Sequence, residues 1–197
     1  DSRAEWREFV SIPGLDVMRS KPGVMVQIVT DAQQLEELRS LGYALTVEIE
    51  DMERYYSSRM RGPNFGEFHT YSEMIDFLDD LHANYPLITT ARESIGSSWE
   101  GRALWAIKIS DNPDVDETEP EVLFDGMHHA REPMSLEVQI HYMNWLCQNY
   151  GSDPEATFLV DNREIWFLPI VNPDGYVYNE TTYPQGGGMW RKNRRDN

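Results

Sequence analysis

His129 and Glu132 stand three residues apart with Arg131 between them, inside the stretch Pro120 to Pro133. An imidazole nitrogen and a carboxylate oxygen are two good ligands for zinc. The flanking residues say how the pair is presented. Val122 to Phe124 is a short apolar run with β-branched and aromatic character, which reads as a buried strand. Gly126 then loosens the backbone. A residue before proline is pushed out of the α region, so Glu132 is not expected inside a helix. Proline is favoured in the first turn of one, and Leu136, Ile140, Met143, Cys147 and Tyr150 fall on one helical face after Pro133. The pair therefore belongs to a tight strand-to-helix turn at the end of a buried strand, where α/β sheets bind ligands.

Spacing alone is weak evidence, and the chain carries its own controls. Asp79 and His82 also stand three apart, and Glu137 and His141 four apart. Both pairs fall on predicted helices and read as ordinary surface or rim pairs. His128 is the rival ligand; its spacing of four to Glu132 suits a helix, which Pro133 argues against. His128 reads as a bystander or as support behind the ligands.

The elements that must position the pair can be taken in order. Residues 1–20 show little pattern. Val24 to Thr30 alternates like a strand, Asp31 and Gln34 resemble a capping box, and Leu35, Leu38 and Leu41 follow until Gly42. Ala44 to Ile49 reads as a second strand. The expectation is a small β-α-β unit over residues 1–50 whose core is thin. Residues 51–67 read as a linker; Arg54, Arg59 and Arg61 among small residues suit either a trypsin-like processing site or a plain surface connection. Thr70 with Glu73 opens a helix bearing Met74, Ile75, Leu78 and Leu81. Thr89 to Ile95 and Ala103 to Ser110 form a predicted hairpin around Gly96 to Gly101. Ser152 with Glu155 starts a short helix, Ile165 to Ile170 is another buried strand, and Asn172 to Gly175 turns the chain at its end. Gly186 to Gly188 lead into the basic run Trp190 to Arg195.

The fold class that follows is α/β. At 197 residues the chain is long enough for one good domain plus a small partner. Its formal net charge of −17, from 34 acidic and 17 basic residues, opposes nucleic acid or an anionic membrane as the main partner. No apolar run approaches a membrane span. Cys147, the lone cysteine, lies on the apolar face of a helix and reads as a small buried hydrophobe.

These pieces together resemble the zinc metallocarboxypeptidases of the carboxypeptidase A/B type. Phe68 to Tyr71 with Glu73-Met74, Gly96 to Arg102, Gly126 to Pro133, Asn172 to Tyr176 and Trp190 to Arg194 follow in the family's order. The resemblance covers 68–197, the N-terminal part of the catalytic domain. It implies a mixed central sheet with flanking helices, one zinc ion held by His129 and Glu132, and peptide or protein C-termini as substrate. It also implies that Arg131 helps hold the peptide and that Arg191 stabilises the oxyanion of the tetrahedral intermediate. Without it, Arg191 reads as one surface cation in a basic cluster. Residues 1–50 would take the place of a prosegment, though a short one, and a secreted or extracytoplasmic location is expected. A catalytic zinc needs three protein ligands and an open position. In the family the third ligand, the general base and the residues that grip the terminal carboxylate lie further downstream than Asn197. The chain as given is thus expected to bind zinc weakly, to hydrolyse slowly, and to leave the edge of the Val122 strand open for self-association. Two other readings are a non-catalytic peptide-binding module on the same fold and an amidohydrolase of N-acyl amino acids.

Overall fold

The computed structural model describes residues 2–57 and 65–195. Arg59 and Arg61 of the suspected processing stretch lie outside the described residues. The chain divides into two compact units, 1–50 and 51–197. No helix among the described residues is long and apolar enough to cross a membrane.

The first unit runs α1 (Ser2–Val10), β1 (Asp16–Lys21), β2 (Met25–Val29) and α2 (Ala32–Ser40). The expected β-α-β order is corrected here. β2 pairs antiparallel with β1, starting from Lys21 opposite Met25. Gly23, at φ 71°, makes that tight turn, and closing a short hairpin needs no crossover connection. Ala44 to Ile49 forms no strand; Gln27 reaches Glu48 through side chains alone, at 2.9 Å. Asp31 caps α2 by accepting from the Gln34 N–H at 2.8 Å, as its sequence position predicts. Of the three leucines expected on its apolar face, Leu38 is buried, whereas Leu41 is exposed.

The second unit holds α3 (Met52–Ser57), a 3-10 turn at Phe65–Glu67, α4 (Tyr71–Asn84), β3 (Glu93–Ser97), β4 (Ala103–Ile109), β5 (Glu121–Asp125), α5 (Met134–Asn149), α6 (Pro154–Asp161), β6 (Glu164–Leu168) and α7 (Pro173–Thr182). The sheet order is β3-β4-β6-β5. β3, β4 and β6 are antiparallel in succession, while β5 runs parallel to β6. This is the expected mixed sheet with flanking helices. Alternate residues of β4 and β6, Ile107, Ile109, Ile165 and Phe167, meet Met74, Leu78 and Leu81 of α4 and Leu136, Met143 and Leu146 of α5 in one core. Thr70 and Glu73 close the predicted capping box on α4.

Three details differ from expectation. α6 is capped by Asp153, which accepts from the Glu155 and Ala156 N–H groups, rather than by Ser152. Asn172 to Gly175 is the first turn of α7, with Pro173 at its start. β5 is a strand but is not buried: Leu123 is 61% exposed, because among the described residues β5 pairs only with β6 and stands at the edge of the sheet.

Candidate metal centre

β5 delivers the chain to Gly126, where backbone contact with β6 continues past both strand ends. The Gly126 N–H donates to Leu168 O at 3.2 Å, and Val171 and Asn172 donate back to Gly126 O and Met127 O at 2.9 and 3.1 Å. A side chain at position 126 would put its Cβ 2.2 Å from the Gln139 amide and 3.2 Å from Ser135 O, so any larger residue must push the Gln139 side chain aside and crowd the Ser135 carbonyl. Met127 is buried with φ 54°, a costly conformation for a side-chain-bearing residue. Ser135 holds it there, accepting from the Met127 N–H at 3.0 Å while its hydroxyl donates to Glu132 O at 2.9 Å. The Glu132 N–H donates to His129 O at 3.1 Å and closes the turn just before α5.

That turn brings the predicted pair together. His129 Nδ1 lies 3.0 and 3.1 Å from the two Glu132 carboxylate oxygens. The side chains are 40% and 55% exposed, open to an incoming ion and to water. One imidazole nitrogen and a carboxylate converging at this distance are donors that zinc accepts, so the residues fit the ion. His128 points elsewhere, with Nε2 3.4 Å from Asp125 Oδ2. The control pairs also separate. Asp79 takes Arg92 at 2.7 Å, His82 faces Thr89 O at 3.0 Å, and Glu137 pairs with His69 at 2.9 Å. Among the described residues, groups of three candidate ligands occur only at Asp111, Glu117 and Glu119 and at Asp116, Glu121 and Glu164; neither includes His129 or Glu132.

Arg191 belongs to an irregular segment after α7. Its carbonyl accepts from the Ala130 N–H at 3.1 Å, which ties residue 191 to the turn that carries His129 and Glu132. Arg131 and Arg191 are both half-buried. Arg194 of the same basic run stacks on Tyr178 and Trp190, its guanidinium carbon 4.1 and 4.3 Å from the ring centres. An open cleft of ≈ 530 Å³ borders His128, Trp99, Asn172 and Arg195.

The sequence reading missed the supports. Asp174, almost fully buried, accepts from Ser98 Oγ at 2.6 Å, the Glu100 N–H at 2.9 Å and Arg102 Nη1 at 2.8 Å. Burial alone would raise its carboxyl; those three donors overturn that and hold it below the ordinary range. Tyr176, fully buried, donates its hydroxyl to His69 O at 2.5 Å, and burial with the nearby Glu137, Glu180 and Glu73 pushes its pKa up. An asparagine ahead of a proline was the available signal for α7, since asparagine favours the cap and proline the first turn.

Comparison with known proteins points to the same family. A family model described as zinc carboxypeptidase matches residues 74–197. A zinc carboxypeptidase of Saccharothrix mutabilis subsp. capreolus is 33% identical over 100% of this chain and 47% of its own length. Mouse carboxypeptidase A2 is 32% identical over 94% of this chain and 41% of its own. The crystal structure of carboxypeptidase A from Helicoverpa armigera superposes with a TM-score of 0.73 at 25% identity, covering 99% of this chain and 50% of the other. The chain thus spans about half the length of the relatives it matches. Its strand-turn-helix, its motif order and these likenesses together place the chain in the zinc carboxypeptidase family.

Proposed function

We propose that this protein is a zinc-dependent carboxypeptidase that hydrolyses the C-terminal peptide bond of peptides and proteins. The observation that carries the reading is the convergence of His129 Nδ1 and the Glu132 carboxylate at 3.0 Å, in a turn hydrogen-bonded to the backbone of Arg191. His129 and Glu132 would hold zinc, which when bound supplies an acidified water and polarisation of the scissile carbonyl. Arg131 would hold the peptide, since a planar guanidinium suits carbonyl and carboxylate groups. Arg191 would face the developing oxyanion, a contribution typically worth about 3–4 kcal/mol in the transition state.

Two ligands alone hold zinc weakly, and no third candidate joins them among the described residues. The 197-residue chain is therefore expected to take up zinc with low affinity and to turn over slowly. The test is zinc stoichiometry together with release of free amino acid from peptides with free and amidated C-termini. Faster release from the free form, lost in His129→Ala and Glu132→Gln, supports the reading. Zinc-independent peptide binding without hydrolysis would favour the non-catalytic module, and cleavage restricted to N-acyl amino acids the amidohydrolase. Residues 1–50 would be a prosegment-like unit; faster turnover after its removal would support an inhibitory role. A secreted or extracytoplasmic site of action goes with this assignment, and fractionation of the source cells checks it.

A further inference from the structure

His129 and Arg191 lie far apart in sequence and share no regular secondary structure, yet their backbones are fastened together at several points. Two asparagines on one helix do most of the fastening. Asn172, at the cap of α7, donates from Nδ2 to His128 O at 3.2 Å and to Lys192 O at 3.0 Å. Asn179, two turns further on, donates from Nδ2 to Ala130 O and to Trp190 O, both at 2.8 Å, and its Oδ1 accepts from the Trp190 N–H at 3.0 Å. The pattern is reciprocal. The residues on either side of His129 and the residues on either side of Arg191 are joined through the same two amides. The Ala130 N–H to Arg191 O bond lies between them.

We infer that Asn172 and Asn179 are positioning residues for the zinc-carboxypeptidase reaction, holding the ligand turn at a set distance from the oxyanion arginine. This rests on the function proposed above. The chemistry is specific to an amide. One side chain must offer two N–H donors to carbonyls of two separate segments and still present an oxygen. Asn172 uses its Oδ1 on the Gly175 N–H at 3.1 Å. Aspartate has the shape but no donors; alanine at 179 would strip the Asn179 donor from Ala130 O and Trp190 O, and alanine at 172 would strip it from His128 O, while Lys192 O keeps the Trp190 indole N–H at 2.7 Å. Both asparagines are buried, 7% and 1% exposed, so water is poorly placed to substitute. Two glycines keep the fit close. A Cβ at Gly175 would stand 2.7 Å from Lys192 O and 2.8 Å from the Ala130 Cβ. A Cβ at Gly188 would stand 2.6 Å from Asn179 Oδ1. A displacement of about 1 Å between reacting groups can cost on the order of a hundredfold in rate, which is the scale on which such a clamp acts.

The test has two arms. In the 197-residue chain, amide hydrogen exchange at Ala130 and Trp190 is compared among wild type, Asn179→Ala and Gly188→Ala. Exchange at these two amides should rise about tenfold in both variants, with the β4 and β6 amides unchanged. Gly188→Ala removes no hydrogen-bonding group and keeps the test decisive if Asn179→Ala does not fold. In the natural protein loaded with zinc, each variant should lower kcat roughly tenfold to a hundredfold with KM within about twofold, and the loss should shrink in an Arg191→Ala background. Unchanged exchange at Ala130 and Trp190, or a kcat loss fully additive with Arg191→Ala, overturns the inference. A wild type that hydrolyses no peptide at all while its exchange pattern follows expectation overturns the peptidase assignment, and with it the catalytic part of the inference, but leaves the clamp standing.

Discussion

Replacing Asp174 by alanine removes three hydrogen bonds to one buried carboxylate, from Ser98, Glu100 and Arg102. Each bond to a charged group is worth about 1.5–3 kcal/mol net. The sum overstates the cost, because the bonds share one acceptor and their donors have alternatives. Ser98 Oγ still accepts from the Arg102 N–H at 3.0 Å, and Arg102 keeps Glu100 as an ion-pair partner while 29% of its side chain stays in water. A loss of about 2–4 kcal/mol is therefore expected for Asp174→Ala. For a chain of this size that corresponds to a fall in Tm of roughly 4–16 °C. Urea unfolding followed by tryptophan fluorescence measures it. The pH dependence adds a second constraint. The folded carboxyl titrates below its ordinary value of 3.8, so its stabilisation is complete above that value and drains away as pH falls through the folded pKa. Asp174→Asn has no charge to lose. The gap between wild type and Asp174→Asn should stay constant above about pH 5 and narrow on acidification. A cost below about 0.5 kcal/mol for the alanine variant, or a gap that widens in acid, would refute the reasoning.

Gly126→Ala should cost about 1–3 kcal/mol through overpacking against Gln139 and Ser135, and should weaken zinc uptake because the same turn carries His129; urea unfolding and zinc titration check both. Burial pushes the Cys147 thiol up to about 12, so a thiol-reactive dye at pH 8 should label the chain only after unfolding; labelling of the native chain at the rate of free cysteine would contradict this. The exposed Val122 to Phe124 edge should drive concentration-dependent self-association, strengthened by salt because Glu121 and Asp125 flank it, and abolished by Leu123→Lys. A strictly monomeric solution mass at high concentration would count against it.

Much of the scaffold was legible before the structure, wherever its cause is local. The α4 capping box joins residues three apart, and the α5 stripe repeats every three or four positions. The bend at Pro133 likewise depends on its immediate neighbours. The N-terminal unit departs from expectation because a strand-like run such as Ala44 to Ile49 is able to pair without naming a partner, and the adjacent β1 takes that place through a tight turn. The apolar residues of β5 predict burial, but its position at the edge of the sheet decides its exposure.

The sequence alone pointed to which imidazole and which carboxylate meet at the turn, and to why glycine and proline flank them. Tertiary structure alone decided what holds that turn in place, as with Glu137 choosing His69 over His141, Asp174 anchoring the hairpin, and Asn172 and Asn179 joining residues 128–130 to 190–192. The reason is range. Conformational preference acts over a few residues, whereas a buried amide or carboxylate finds its partners only after the sheet and helices have brought distant backbone within 3 Å.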